Sequence, residues 1–154
     1  LTADCAPIFI YDNKSPLICA LHSGWRGCLN NIVTNCIKQI TAIDHNINNL
    51  SAIVGPCLAK KNFEVSSNFR KNFLEKCKKY ERFFSKKKES RKYLFDMRGL
   101  INFQLKQNFI KNISNVNIDT YDNKNLFFSH RRSLHQNKLP AGRMINIIAF
   151  NEKA

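Results

Sequence analysis

Two hydrophobic rhythms alternate along the chain. Ile8-Phe9-Ile10, Leu17 to Leu21 and Leu50 to Val54 are short apolar runs, partly β-branched and bounded by polar or turn residues, which is the pattern of buried strands. Tyr11 to Pro16 supplies the turn between the first two. After Gly27 the apolar positions Leu29, Ile32, Val33, Cys36, Ile37 and Ile40 recur three and four apart, so the spacing predicts one buried helix face. A second helix follows Ser66 and Ser67, with Phe69, Phe73, Leu74 and Cys77 on one side. A third runs from Met97 to Ile110 behind Asp96 as its N-cap. Val116-Asn117-Ile118 predicts the start of a strand and Leu126-Phe127-Phe128 a buried run. Met144 to Phe150, apolar almost throughout, predicts a last strand at the centre of a sheet, after a mobile loop from Ser133 to Pro140. The expected fold is α/β (α+β), with mixed β-sheet layers flanked by three main helices in a single domain over residues 1–154.

Composition narrows this without changing it. A chain of 154 residues with 44% hydrophobic content can bury a real core. Its apolar runs are too short to span a bilayer and no signal-peptide pattern is present, so no membrane partner and a cytoplasmic location are expected. The net charge of +14 raises nucleic-acid binding, but the excess lies mostly in lysines that accompany many Asn and Ile, which reads as a solvated basic surface. Between Lys76 and Lys92, Tyr80, Phe83 and Phe84 interrupt a Lys/Arg-dense stretch that also holds Glu81 and Glu89. That resembles a single-strand binder, yet nothing nearby predicts a sheet platform, and a surface excursion with its aromatics docked on the core is the preferred reading. Six cysteines sit inside predicted elements and read as reduced thiols. The first residue is Leu1 rather than Met and the chain opens directly on a motif, so a fragment, or a product lacking its natural start, is expected.

The candidate chemistry gathers at the first hairpin. A strand hands His22 to the loop Ser23-Gly24-Trp25-Arg26-Gly27, which opens a helix. Gly24 and Gly27 let backbone approach a ligand closely, and Arg26 adds fixed charge, the makings of an anion or phosphate seat. Cys5 and His22 are a soft and a borderline donor on neighbouring strand ends, suited to zinc or copper and equally to a thiolate–imidazole nucleophile. Cys57, after the rigid turn at Gly55-Pro56, is either a pocket thiol or a small buried hydrophobe. Glu64 reads as an exposed charge near a helix start, with a pocket carboxylate as the alternative. Arg131 and Arg132, beside His130 and Ser129, call for an anion or carboxylates, and ligand contact by at least one is expected. Trp25 suits packing of the loop or stacking on a substrate ring.

Thr2-Ala3-Asp4-Cys5, His22 to Gly27, Gly55-Pro56-Cys57, Phe63-Glu64-Val65, Phe127 to Arg132 and Gly142-Arg143 together resemble, in order, the successive motifs of the laccase-domain (polyphenol oxidoreductase) family. The resemblance implies a zinc-dependent purine nucleoside phosphorylase with adenosine deaminase activity, acting on purine nucleosides and phosphate. It implies that Cys5 and His22 are metal ligands and catalytic, with a third histidine expected upstream of Leu1. Copper-linked phenol oxidation is the family's older association. The chain departs from the pattern at Asp119, where members usually show Cys, so that thiol's role is lost or passed to a carboxylate. Two other classes stay open at this level: a metal-free cysteine hydrolase using Cys5 and His22, and an inactive basic binding remnant.

Overall fold

A computed structural model describes residues 1–88 and 90–151; the Glu89 of the basic stretch lies outside the described residues. Strands β1 (Ala6–Asp12) and β2 (Ile18–Ser23) form an antiparallel hairpin with Ala6 opposite Ser23 and Tyr11 opposite Ile18. Asp12 closes its turn by accepting the backbone N–H groups of Lys14 at 2.8 Å and Ser15 at 3.1 Å. The chain continues through α1 (Trp25–Leu29) and α2 (Ile32–Ala42) to β3 (Leu50–Val54), which pairs antiparallel with the other edge of β1. Then come β4 (Glu64–Val65), α3 (Ser67–Lys76), β5 (Phe84–Lys86), β6 (Tyr93–Phe95) and α4 (Met97–Gln107). Next is β7 (Asn112–Asn115), parallel to β3, so the main sheet is mixed with order β2-β1-β3-β7. Helix α5 (His130–His135) follows a long irregular segment.

The core lies between one face of this sheet and the helices. Ile8, Ile10, Ala52 and Val54 bury with Val33, Ile37 and Ile40 of α2 and Leu100, Ile101 and Leu105 of α4. A second, three-stranded sheet, β4-β6-β5, carries an aromatic cluster in which Phe95 meets Phe63, Phe69, Phe73 and Phe84 at ring-centroid distances of 4.9 to 5.4 Å. The caps expected at Ser66 and Asp96 form: Ser66 accepts from Phe69 N and Asp96 from Gly99 N.

Several sequence expectations need correction. The first helix is two: Asn31 takes a left-handed conformation (φ 54°) between α1 and α2, and its side chain accepts from Tyr80 Oη and Gln104 Nε2, contacts that periodicity cannot see. The helix from Met97 ends at Gln107 because Phe109 turns left-handed (φ 63°) and stands exposed. Val116 to Ile118 is not a strand; Arg98 holds it by donating to the carbonyls of Val116, Ile118 and Gly55. Leu126 and Phe128 are exposed rather than buried, because Arg132 draws the Phe127 carbonyl into an irregular turn. Ser133 to His135 belong to α5, not to a loop. Met144 to Phe150 is no central strand: Met144 and Thr2 exchange one pair of backbone hydrogen bonds, while Ile145 and Ile147 are 72% and 75% exposed. The basic stretch does have a sheet beside it, β4-β6-β5, but Tyr80 and Phe83 are buried in the core and are no open stacking platform.

Phe95→Ala should cost about 3–5 kcal/mol by emptying the centre of the aromatic cluster, read as a lower urea midpoint at unchanged slope. The Asp12 carboxyl is held below its ordinary value, first by His45 (Nδ1 to Oδ2, 2.9 Å) and then by the turn N–H groups. Its contribution to stability is therefore full above the unfolded carboxylate pKa and lost as the pH falls through the depressed one. Asp12→Asn should flatten that acid limb in urea titrations taken at a series of pH values.

Candidate active site

The β1–β2 register sets the site. With Ala6 opposite Ser23, the residue before β1 lies beside the residue after β2, and a Cβ placed on Gly24 would stand 2.7 Å from Cys5 Sγ. Gly24 has an ordinary φ of −84°, so what it supplies is space for the thiol. Gly24 also starts α1, accepting from Cys28 N at 3.0 Å, and α1 carries Trp25 and Arg26.

A cavity of about 320 Å³ opens over this junction. Trp25, Leu58, Phe63 and Met97 give it apolar walls, and Asp4, Cys5, His130 and Arg131 line its polar side. Arg131 crosses from α5 to lie over the Phe63 ring, 5.5 Å from its centroid, and is fixed there by donating to the carbonyls of Asn62 (3.3 Å) and Glu64 (3.0 Å). Burial pushes the Cys5 thiol above its ordinary pKa; Asp4 adds to the rise and Arg143 opposes it.

Of the residues singled out from the sequence, Cys5, Gly24, Trp25 and Arg131 come together on this cavity. His22 stands exposed opposite Pro7, near the end of β2. Arg26 is exposed and stacks on Trp25 at 4.5 Å. Gly27 is half-buried against Ile32, Ser23 and the His22 carbonyl. Cys57 is fully buried, its thiol pushed up to about 12 by burial, and takes no part in the cavity lining. Arg132 spends its guanidinium on the carbonyls of Thr120, Tyr121 and Phe127, which makes it a staple for the approach to α5. Glu64 is no pocket carboxylate: Lys87 and Lys92 each contact it at 2.5 Å and hold it down at about 2. Asp119 is buried and accepts from Ala59 N, Tyr121 N and Asn62 Nδ2, so the carboxylate serves as a hydrogen-bond hub.

Sequence reasoning gave no role to Asp4, Leu58 or Met97. Asp4 stood in plain view inside the first motif; Leu58 and Met97 carried no signal beyond their hydrophobicity.

A family model described as multi-copper polyphenol oxidoreductase laccase matches residues 1–151, and the chain belongs to that family. Among curated relatives, a purine nucleoside phosphorylase of Rickettsia prowazekii (strain Madrid E) is 34% identical over 134 residues, covering 87% of this chain and 55% of the relative. One of Escherichia coli (strain K12) is 28% identical, covering 86% and 52%. Among solved structures, Neisseria meningitidis protein NMB0706 aligns with a TM-score of 0.75 at 27% identity, covering 85% of this chain and 52% of that one. The chain thus spans about half the length of the relatives it matches. No helix among the described residues is long and apolar enough to cross a membrane.

Gly24→Ala should displace the Cys5 thiol and cost about 1–3 kcal/mol, the range for overpacking. Adding Cys5→Ala should recover much of that loss, giving a strongly non-additive double-mutant cycle by urea denaturation.

Proposed function

We propose that this chain carries the nucleoside site of a purine nucleoside phosphorylase, with adenosine, inosine and methylthioadenosine as substrates, and with adenosine deamination at the same centre. The cavity is the observation that carries this reading: aromatic and aliphatic walls beside a thiol, an imidazole and a fixed guanidinium suit a flat base attached to a polar sugar. The names of the relatives, purine nucleoside phosphorylases, support this reaction class.

In that reaction a phosphate oxygen bonds to ribose C1′ as the C1′–N9 bond breaks, and the base leaves with the electron pair and takes up one proton. Trp25 and Phe63 offer faces for the base, and holding it there converts the encounter into an oriented one. Arg131 cannot swing away, because two carbonyls and the Phe63 ring hold it, so its charge is preorganised toward an anion. Arg26, exposed beyond Trp25, is the second cation of the phosphate seat.

Zinc is the metal proposed for Cys5 and His22, with copper the lesser fit, on the softness of a thiolate paired with an imidazole. These two donors fall short of the three protein ligands a catalytic zinc takes, and the described residues gather no group of three His, Cys, Asp or Glu side chains around an ion. The chemistry above is accordingly assigned to the side chains alone. A metal-free cysteine hydrolase fits less well, since a nucleophilic thiol needs a lowered pKa and Cys5 is shifted the other way.

The test is zinc content of the purified chain with adenosine and inosine phosphorolysis on the same samples, for wild type, Cys5→Ala, His22→Ala and Arg131→Ala. Zinc should fall in the first two variants and remain in Arg131→Ala, and turnover should fall by about a hundredfold or more in Arg131→Ala, which removes the preorganised cation. Turnover that survives chelators but dies on thiol alkylation would overturn the metal reading in favour of the hydrolase. Salt-dependent binding of single-stranded nucleic acid without turnover would favour the basic remnant.

A further inference from the structure

Asp4 holds a φ of 79°, in the left-handed region that a side chain other than glycine occupies only when its surroundings compel it. It is buried, and its carboxylate accepts three hydrogen bonds from residues more than a hundred positions away. Thr120 Oγ1 donates to Oδ1 at 2.6 Å; Ser129 Oγ and the backbone N–H of Arg131 donate to Oδ2 at 3.0 and 2.6 Å. Its own carbonyl accepts from Leu58 N at 3.0 Å. The same Ser129 hydroxyl accepts from Arg132 N at the start of α5. The Asp4 carboxylate therefore joins the residue before Cys5 to the helix that presents His130 and Arg131, while its backbone carbonyl ties the same residue to Leu58 in the opposite wall.

We propose that Asp4 is a positioning residue: it sets Arg131 and His130 at a fixed distance from Cys5 and thereby fixes the width of the nucleoside cavity. The identity of the ligand rests on the function proposed above; the mechanical link does not. Asp4→Asn is the informative variant. Asn tolerates the left-handed conformation, so the backbone is kept, but its amide carries no charge, and the hydrogen bonds from Ser129 Oγ and the Arg131 N–H fall from charge-assisted to neutral. A hydrogen bond to a charged acceptor is worth about 1.5–3 kcal/mol, roughly a tenfold or greater change in an equilibrium constant.

Trp25 is the chain's single tryptophan and lines the cavity, so its fluorescence reads adenosine binding without any need for turnover. In Asp4→Asn, circular dichroism should be unchanged, the adenosine Kd from Trp25 quenching should rise about tenfold or more, and amide exchange should quicken at Arg131 to His135 while β1, β2 and β3 stay protected. In phosphorolysis the loss should fall on KM more than on kcat. Thr120→Val, which removes one donor, should shift the Kd in the same direction by less. An Asp4→Asn protein that binds adenosine with the wild-type Kd, or that keeps wild-type protection at Arg131, overturns the proposal. If the wild-type chain itself gives no quenching with adenosine, the nucleoside reading fails and the exchange at Arg131 alone decides: lost protection supports the bridge, and retained protection refutes it.

Discussion

Everything at the site depends on β1 being held from both sides. Its ladder with β2 fixes which residues face each other at the open end, and its ladder with β3 buries Ile8 and Ile10 and prevents the strand from sliding. A shift of one residue would turn Ile8 and Ile10 out of the core and carry Cys5 away from Gly24. The position of the Cys5 thiol is thus secured by hydrophobic burial several residues away.

Around this anchor the protein uses two different materials. The apolar walls come from ordinary core edges: Phe63 belongs to the aromatic cluster, Met97 begins α4, and Trp25 packs against Phe69 at 5.3 Å. The polar side is carried by Asp4 and Cys5 before β1 and by the start of α5, and the irregular chain that leads to α5 has no ladder of its own and is tied down by side chains instead. Arg98 and Arg132 each hold carbonyls of the stretch between β7 and α5. Arginine suits this because its planar fork can satisfy several acceptors at once.

What the sequence disclosed follows the same division. Local signals were legible: β1, β2 and β3, the caps at Ser66 and Asp96, and the helix faces all follow from spacing that neighbouring residues enforce. The ordered motifs placed the family from Thr2 to Arg143. Features made by distant partners were not legible. Asn31 breaks a helix because of Tyr80 and Gln104, Val116 leaves a strand path because of Arg98, and Arg131 and Arg132 look alike in sequence yet divide into a cavity cation and a structural staple. Met144 to Phe150 shows the limit most plainly: an apolar run advertises a wish to be paired but cannot name its neighbour, and here Thr2 is its one backbone partner among the described residues.

That last segment also bears on how the molecule behaves in bulk. Ile145, Ile147 and Phe150 leave an apolar strip facing solvent on a protein that carries a net charge of +14. Mutual repulsion keeps such strips apart at low ionic strength, where the Debye length is long, and shrinks as salt shortens it. The lysines that distract from the site in the sequence are in this sense colloidal stabilisers, and the dispersed state of the chain is a balance between its charge and its exposed apolar side chains, this strip among them.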